Sequence, residues 1–140
     1  MWDVRMLKST QIRELSQPGE RRLFRIFLVE NHEETAKCLR LYLEGVGHCV
    51  VLSRSMESAL DTFPKSCCNL LISDISLPDG NGWDLMERLR GVGQFEAIAM
   101  SGYATVHDIK RSKTVGYKHH LVKPFSPEHL DAVIREIGEN

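Results

Sequence analysis

The side chains best equipped for chemistry stand one after another at the ends of apolar runs. Glu30-Asn31 follows residues 24–29, Asp74 follows 68–73, Ser101 follows 95–100, and Lys123-Pro124 follows 117–122. Taken singly they are bland: Asn31 or Ser101 could cap a helix, and an isolated Lys123 would be solvated. As a set they combine two acids, an amide, a hydroxyl and an ammonium. A carboxylate that closes so apolar a run as Leu70-Leu71-Ile72 is costly to bury unless a cation or hydrogen bonds meet it. The oxygens of Glu30 and Asp74 suit a hard cation such as Mg²⁺. Asp74 can attack a phosphoryl group to form an acyl phosphate. Lys123 would neutralise the charge that spreads over the phosphoryl oxygens, and the Ser101 hydroxyl can donate to one of them. The chain has no glycine-rich P-loop, so nucleotide hydrolysis is not indicated.

The elements that must position these residues alternate. The apolar runs predict strands over 24–29, 48–52, 68–73, 95–100 and 117–122. Between them, helical spacing links Ala36, Leu39, Leu43 and Val46, and then Met56, Ala59, Leu60 and Phe63. Ser55 reads as the N-cap of that second helix and Pro64 as its end. A turn-rich loop over 76–82 leads into a helix bearing Leu85, Met86 and Leu89. Thr105 and Asp108 form a capping-box start for a helix to about Val115, and Ser126-Pro127 opens the last one, with Leu130, Val133, Ile134 and Ile137 as its buried stripe. Strands that read as continuous apolar runs belong to a parallel sheet covered on both faces. The expected architecture is a doubly wound α/β sandwich, in which sites form beyond the carboxyl ends of the strands.

Composition bounds the rest. The chain has 140 residues, 42% of them apolar, with 18 Lys+Arg against 19 Asp+Glu and a net charge of −1. That fits one domain with no room for a second of ordinary size, and the charge balance is not that of a nucleic-acid binder. No apolar run is long enough to span a membrane and residues 1–5 do not open a secretory signal, so a cytoplasmic location is expected, without membrane contact. Residues 1–22 read as a tail or linker, with a helical turn around Ile12 and Leu15, ahead of a domain over 23–140. Cys38, Cys49, Cys67 and Cys68 contain no C-x-x-C pair and are expected to be reduced, mostly packed thiols. Lys110, Arg111, Lys113 and Lys118 make the fourth helix and its exit basic, either as a solvated face or as a docking surface for an acidic partner.

In order and at strand ends, Phe27-Leu28-Val29-Glu30-Asn31, residues 71–82, Met100-Ser101-Gly102-Tyr103 and Leu121-Val122-Lys123-Pro124-Phe125 resemble the receiver domain of two-component response regulators. The resemblance covers the chain from about Phe24 onward. It implies a (βα)5 flavodoxin-like fold with strand order 2-1-3-4-5. It implies that Asp74 accepts a phosphoryl group from the phosphohistidine of a histidine kinase or histidine phosphotransfer domain, and that Lys123 and Ser101 contact that group. It implies Mg²⁺ held by Asp74, Glu30, Asn31 and the backbone carbonyl of Ser76, and a switch in which Ser101 moves inward and the ring of His120 rotates. The face of helix four, strand five and helix five would then change for a partner or pair with a second copy. Asn31 stands where the family usually has a second acid, which lowers the charge of the metal site and leaves a phosphorylation-independent docking module as the alternative function. A hydrolase of the dehalogenase type would need an acid where the chain has Ser76. The match looks most like receivers at the C-terminus of hybrid sensor kinases, in which residues 1–22 would end a linker.

Overall fold

The computed structural model describes residues 21–139. The expected turn around Ile12 and Leu15 lies outside them. Five parallel strands form one sheet: β1 (Arg25–Val29), β2 (Cys49–Ser53), β3 (Leu70–Asp74), β4 (Glu96–Ser101) and β5 (His119–Val122), in the order β2-β1-β3-β4-β5. Five helices alternate with them: α1 (Glu33–Val46), α2 (Met56–Ser66), α3 (Gly82–Leu89), α4 (Val106–Val115) and α5 (Pro127–Gly138). The expected doubly wound sheet and its strand order are both present.

Both faces of the sheet are covered, which is why the strands read as unbroken apolar runs. Ile26 and Leu28 of β1, with Leu70 and Ile72 of β3, pack toward Leu39, Leu43, Leu130 and Ile134 on α1 and α5. Their neighbours Phe27, Val29 and Leu71 pack the other way, among Phe63, Leu85 and Leu89 on α2 and α3. Each of these buried side chains stabilises the fold by about 1.5–3 kcal/mol. This two-sided anchoring makes the carboxyl ends of the central strands a rigid platform.

The element ends follow local chemistry. Ser55, Thr105 and Ser126 each accept the backbone N–H three residues on, and Asp108 returns the bond to Thr105 as a capping box. His32 caps α1 in the same way. Pro64 does not end α2, which continues to Ser66. Pro64 lies in the last turn, so its missing N–H removes a single helical bond there. β5 begins two residues later than expected because Tyr117 still belongs to the exit of α4, its N–H donating to the Ser112 carbonyl at 2.9 Å. The loop over 76–82 contains a small antiparallel ribbon, Ser76–Leu77 against Gly80–Asn81, and Asn81 caps α3. Nor are the thiols mostly packed: Cys38, Cys49 and Cys67 are exposed, although all four cysteines are free. Cys67 has a left-handed backbone at the end of α2.

Ahead of β1, Arg21 holds Asp131 of α5 with both guanidinium nitrogens, at 2.6 and 3.2 Å, and the Arg22 guanidinium lies over the Phe24 ring. No helix among the described residues is long and apolar enough to cross a membrane.

Candidate functional site

Glu30 immediately follows β1, Asp74 is the last residue of β3, Ser101 the last of β4, and Lys123 the first residue after β5. Parallel register places these ends side by side: Asp74 lies opposite Met100, and Ser101 opposite Val122. The backbone ties them further, since Ile75 N–H donates to the Met100 carbonyl at 2.8 Å and Lys123 N–H to the Ser101 carbonyl at 2.7 Å. A cis Lys123–Pro124 peptide follows.

Three charged side chains meet on this platform. The Lys123 ammonium donates to Glu30 Oε1 at 2.5 Å and to Asp74 Oδ1 at 2.7 Å. Glu30 is 1% exposed and Asp74 5%. The other oxygen of Glu30 accepts the His32 N–H at 3.0 Å. Two buried carboxylates thus share one cation, and with both ionised the cluster carries an uncompensated negative charge. Burial, together with the neighbouring Glu30 carboxylate, pushes the Asp74 carboxyl up to about 7 against the pull of Lys123. Burial also pushes Glu30 up, but its bonds to Asp74, Lys123 and the His32 amide outweigh that and hold it below the usual range. Burial pulls Lys123 down, yet its hydrogen bonds to Asp74 and Glu30 hold it above its ordinary value.

The remaining expected residues are not all drawn in. Asn31 and Ser76 are exposed, and neither hydrogen-bonds to the cluster. The Asn31 backbone carbonyl accepts Arg54 Nη2 at 3.0 Å. Ser101 is buried, but its hydroxyl lies 2.7 Å from His120 Nε2. Burial lowers the His120 pKa against the attraction of Asp108, which favours the neutral ring. No cluster of three His, Cys, Asp or Glu side chains able to hold a metal exists among the described residues. Two carboxylates with excess negative charge nevertheless fit a hard divalent cation whose other ligands are neutral oxygens.

Some supporting residues were not apparent from the sequence. Asp79, in the loop between the ribbon strands, accepts the N–H groups of Met56 and Glu57 at 2.7 and 2.8 Å and so fastens that loop to the start of α2. Its only sequence signal is its place in a Pro-Asp-Gly turn. Trp83 and Ser112 hydrogen-bond to each other at 2.8 Å, and Ser112 Oγ also lies 2.7 Å from His120 Nδ1. No short-range pattern marks that triplet.

The sequence pattern of the response regulator receiver domain matches residues 26–135. An uncharacterized 14.6 kDa protein of Leptolyngbya boryana is 29% identical over 114 residues, covering 79% of this chain and 87% of its own length. The regulatory protein VanR of Enterococcus faecium is 29% identical over 111 residues, covering 79% of this chain and 48% of its own. A probable transcriptional regulator ycf27 of Porphyridium aerugineum is 26% identical over 113 residues, 81% of this chain and 47% of its own. The chain thus spans about half the length of these two regulators. Among solved structures, a CheY-like receiver domain protein of Methanospirillum hungatei JF-1 superposes with a TM-score of 0.77 at 27% identity, covering 84% of this chain and 95% of that one. The chemotaxis regulator CheY4 of Vibrio cholerae, at 19% identity, shares the fold with a TM-score of 0.73, covering 83% and 99%. The chain belongs to the response regulator receiver domain family, the phosphoaspartate signalling switches of two-component systems.

Proposed function

We propose that Asp74 is the phosphoacceptor of this receiver. The observation that carries the reading is the Lys123 ammonium bridging Glu30 and Asp74 at the ends of the central strands. An Asp74 oxygen attacks the phosphorus of a phosphohistidine on a histidine kinase or histidine phosphotransfer domain. A P–O bond forms as the P–N bond breaks, and its electron pair leaves with the imidazole nitrogen. Asp74 must be ionised to attack, and Lys123 stabilises that form. As charge spreads over the phosphoryl oxygens, the Lys123 ammonium neutralises one and the Ser101 hydroxyl donates to another. Mg²⁺ would be held by Glu30 and Asp74, with the Ser76 carbonyl and the Asn31 amide oxygen as neutral ligands, and would supply Lewis-acid charge neutralisation there.

Capture of the phosphoryl group by Ser101 breaks its bond to His120, frees that ring to move, and so changes the surface of α4, β5 and α5. Tyr103, in the loop before α4, and Val106, its first residue, are 77% and 85% exposed, and Val122 lies on β5. Exposed apolar side chains on that face suit a partner or a second copy of the chain. The hybrid-kinase origin draws no support from the relatives described above. A phosphorylation-independent docking module is favoured by one observation only, the neutral Asn31 beside a two-carboxylate set.

Mass spectrometry after incubation with Mg²⁺ and acetyl phosphate separates the two readings. The expected result is a gain of one phosphoryl group that Asp74→Asn abolishes. No gain at saturating donor and metal would leave the docking module.

A further inference from the structure

Ser112, on the inner side of α4, is 0% exposed and plays no part in the chemistry above. It is the centre of a hydrogen-bonded chain: Trp83 Nε1 to Ser112 Oγ at 2.8 Å, Ser112 Oγ to His120 Nδ1 at 2.7 Å, and His120 Nε2 to Ser101 Oγ at 2.7 Å. Proton counting fixes its direction. An indole N–H can only donate, so Ser112 Oγ accepts from Trp83 and its own proton needs an acceptor. Among the described residues the only other hydrogen-bond partner of that hydroxyl is His120 Nδ1, which must therefore accept. A neutral ring that accepts at Nδ1 carries its proton on Nε2, and Nε2–H donates to Ser101 Oγ. The Ser101 proton is then left free. The opposite tautomer would consume the Ser101 proton and bury that of Ser112 without an acceptor, at a full desolvation penalty.

We propose that Trp83 and Ser112 are positioning residues that act through His120 to hold the Ser101 hydroxyl with its proton available to a phosphoryl group on Asp74. The inference rests on Asp74 as phosphoacceptor and deepens that reading. It also gives the seam between α3 and α4 a share in the switch. When Ser101 Oγ turns to the phosphoryl group, His120 Nε2–H loses its acceptor. The disturbance then passes through Ser112 to the Trp83 indole, which is stacked under the Arg111 guanidinium with 4.1 Å from Arg111 Cζ to the ring centroid.

Nitrogen-15 NMR of the full chain labelled at histidine, at neutral pH and without a phosphodonor, reads the tautomer directly. The expected His120 spectrum has a protonated Nε2 and an unprotonated Nδ1, the latter displaced from the free-imine position by the bond it accepts. In Ser112→Ala that displacement disappears, and phosphorylation by acetyl phosphate slows severalfold while its end point is retained. A wild-type ring protonated on Nδ1, or a Ser112→Ala protein with an unchanged Nδ1 resonance or an unchanged rate, overturns the proposal. Absence of any mass gain in the wild type would instead sink the phosphoacceptor assignment, and the tautomer would still report whether the chain runs as argued.

Discussion

The Asp74 carboxyl sits near neutrality because burial and Glu30 both oppose its ionisation while Lys123 alone supports it. Once Asp74 ionises, the cluster carries a net negative charge that draws a cation, and Asn31 decides how strongly one is drawn. An amide oxygen coordinates Mg²⁺ but adds no charge, and affinity at such sites follows the charge of the ligand set. Asn31→Asp should therefore tighten Mg²⁺ binding about tenfold, the equivalent of about 1.4 kcal/mol. Trp83 emission, read in a Trp2→Phe background, gives the titration midpoint. An unchanged midpoint would show that position 31 does not reach the metal. The acids and Lys123 were legible as a set because each ends an apolar run. Their exact pairing was not, since it depends on the sheet bringing together strand ends 93 residues apart in sequence.

At the scale of elements, the loop behind Asp74 is held by a close backbone approach at the start of α3. Gly82 N–H donates to the Ile75 carbonyl at 2.8 Å, and the Tyr117 hydroxyl donates to the Gly82 carbonyl at 2.6 Å. A Cβ on Gly82 would fall 2.5 Å from the Asp74 carbonyl oxygen and 3.0 Å from Ile75 Cα, both backbone atoms that cannot swing aside. Gly82→Ala should cost about 1–3 kcal/mol, as overpacking does, and shift the end of β3. Urea denaturation measures the first effect, and slowed phosphorylation of Asp74 reports the second. Wild-type stability and rate in this variant would mean that the loop relaxes freely. The strands and the caps Ser55, Thr105 and Ser126 were readable because their causes are local: an apolar run, or a hydroxyl three residues before a free N–H. Gly82 read only as part of a turn, because what demands it is Asp74, eight positions away in sequence. The Trp83–Ser112 contact, 29 positions apart, escaped for the same reason.

Across the whole molecule, the two edges of the sheet respond to pH in opposite senses. At the carboxyl edge, Asp74 holds a proton that the unfolded chain releases. Its folded value is raised to about 7, so its contribution is complete below the ordinary carboxyl range near about pH 4 and is lost as pH rises through 7. At the amino edge, His48 is 3% exposed and its Nδ1 accepts the Phe24 N–H at 2.9 Å. Burial and the Arg21 guanidinium depress it to about 4, so the folded state refuses a proton that the unfolded chain takes up near pH 6.5. Its contribution is therefore complete above pH 6.5 and is lost as pH falls through 4. A shift of that size is worth at most about 3 kcal/mol. Between about pH 4 and pH 7 the two slopes oppose each other, and they are borne by residues at opposite edges of the sheet, Asp74 at the end of β3 and His48 just ahead of β2, that share no partner, so they add independently. Thermal midpoints across this range should be nearly level in the wild type. In Asp74→Asn, which keeps the Lys123–Glu30 pair, the midpoint should rise with pH as the His48 slope stands alone. In His48→Asn, whose amide oxygen can still accept the Phe24 N–H, it should fall with pH. Parallel profiles for all three proteins would mean that neither group titrates differently in the folded and unfolded states.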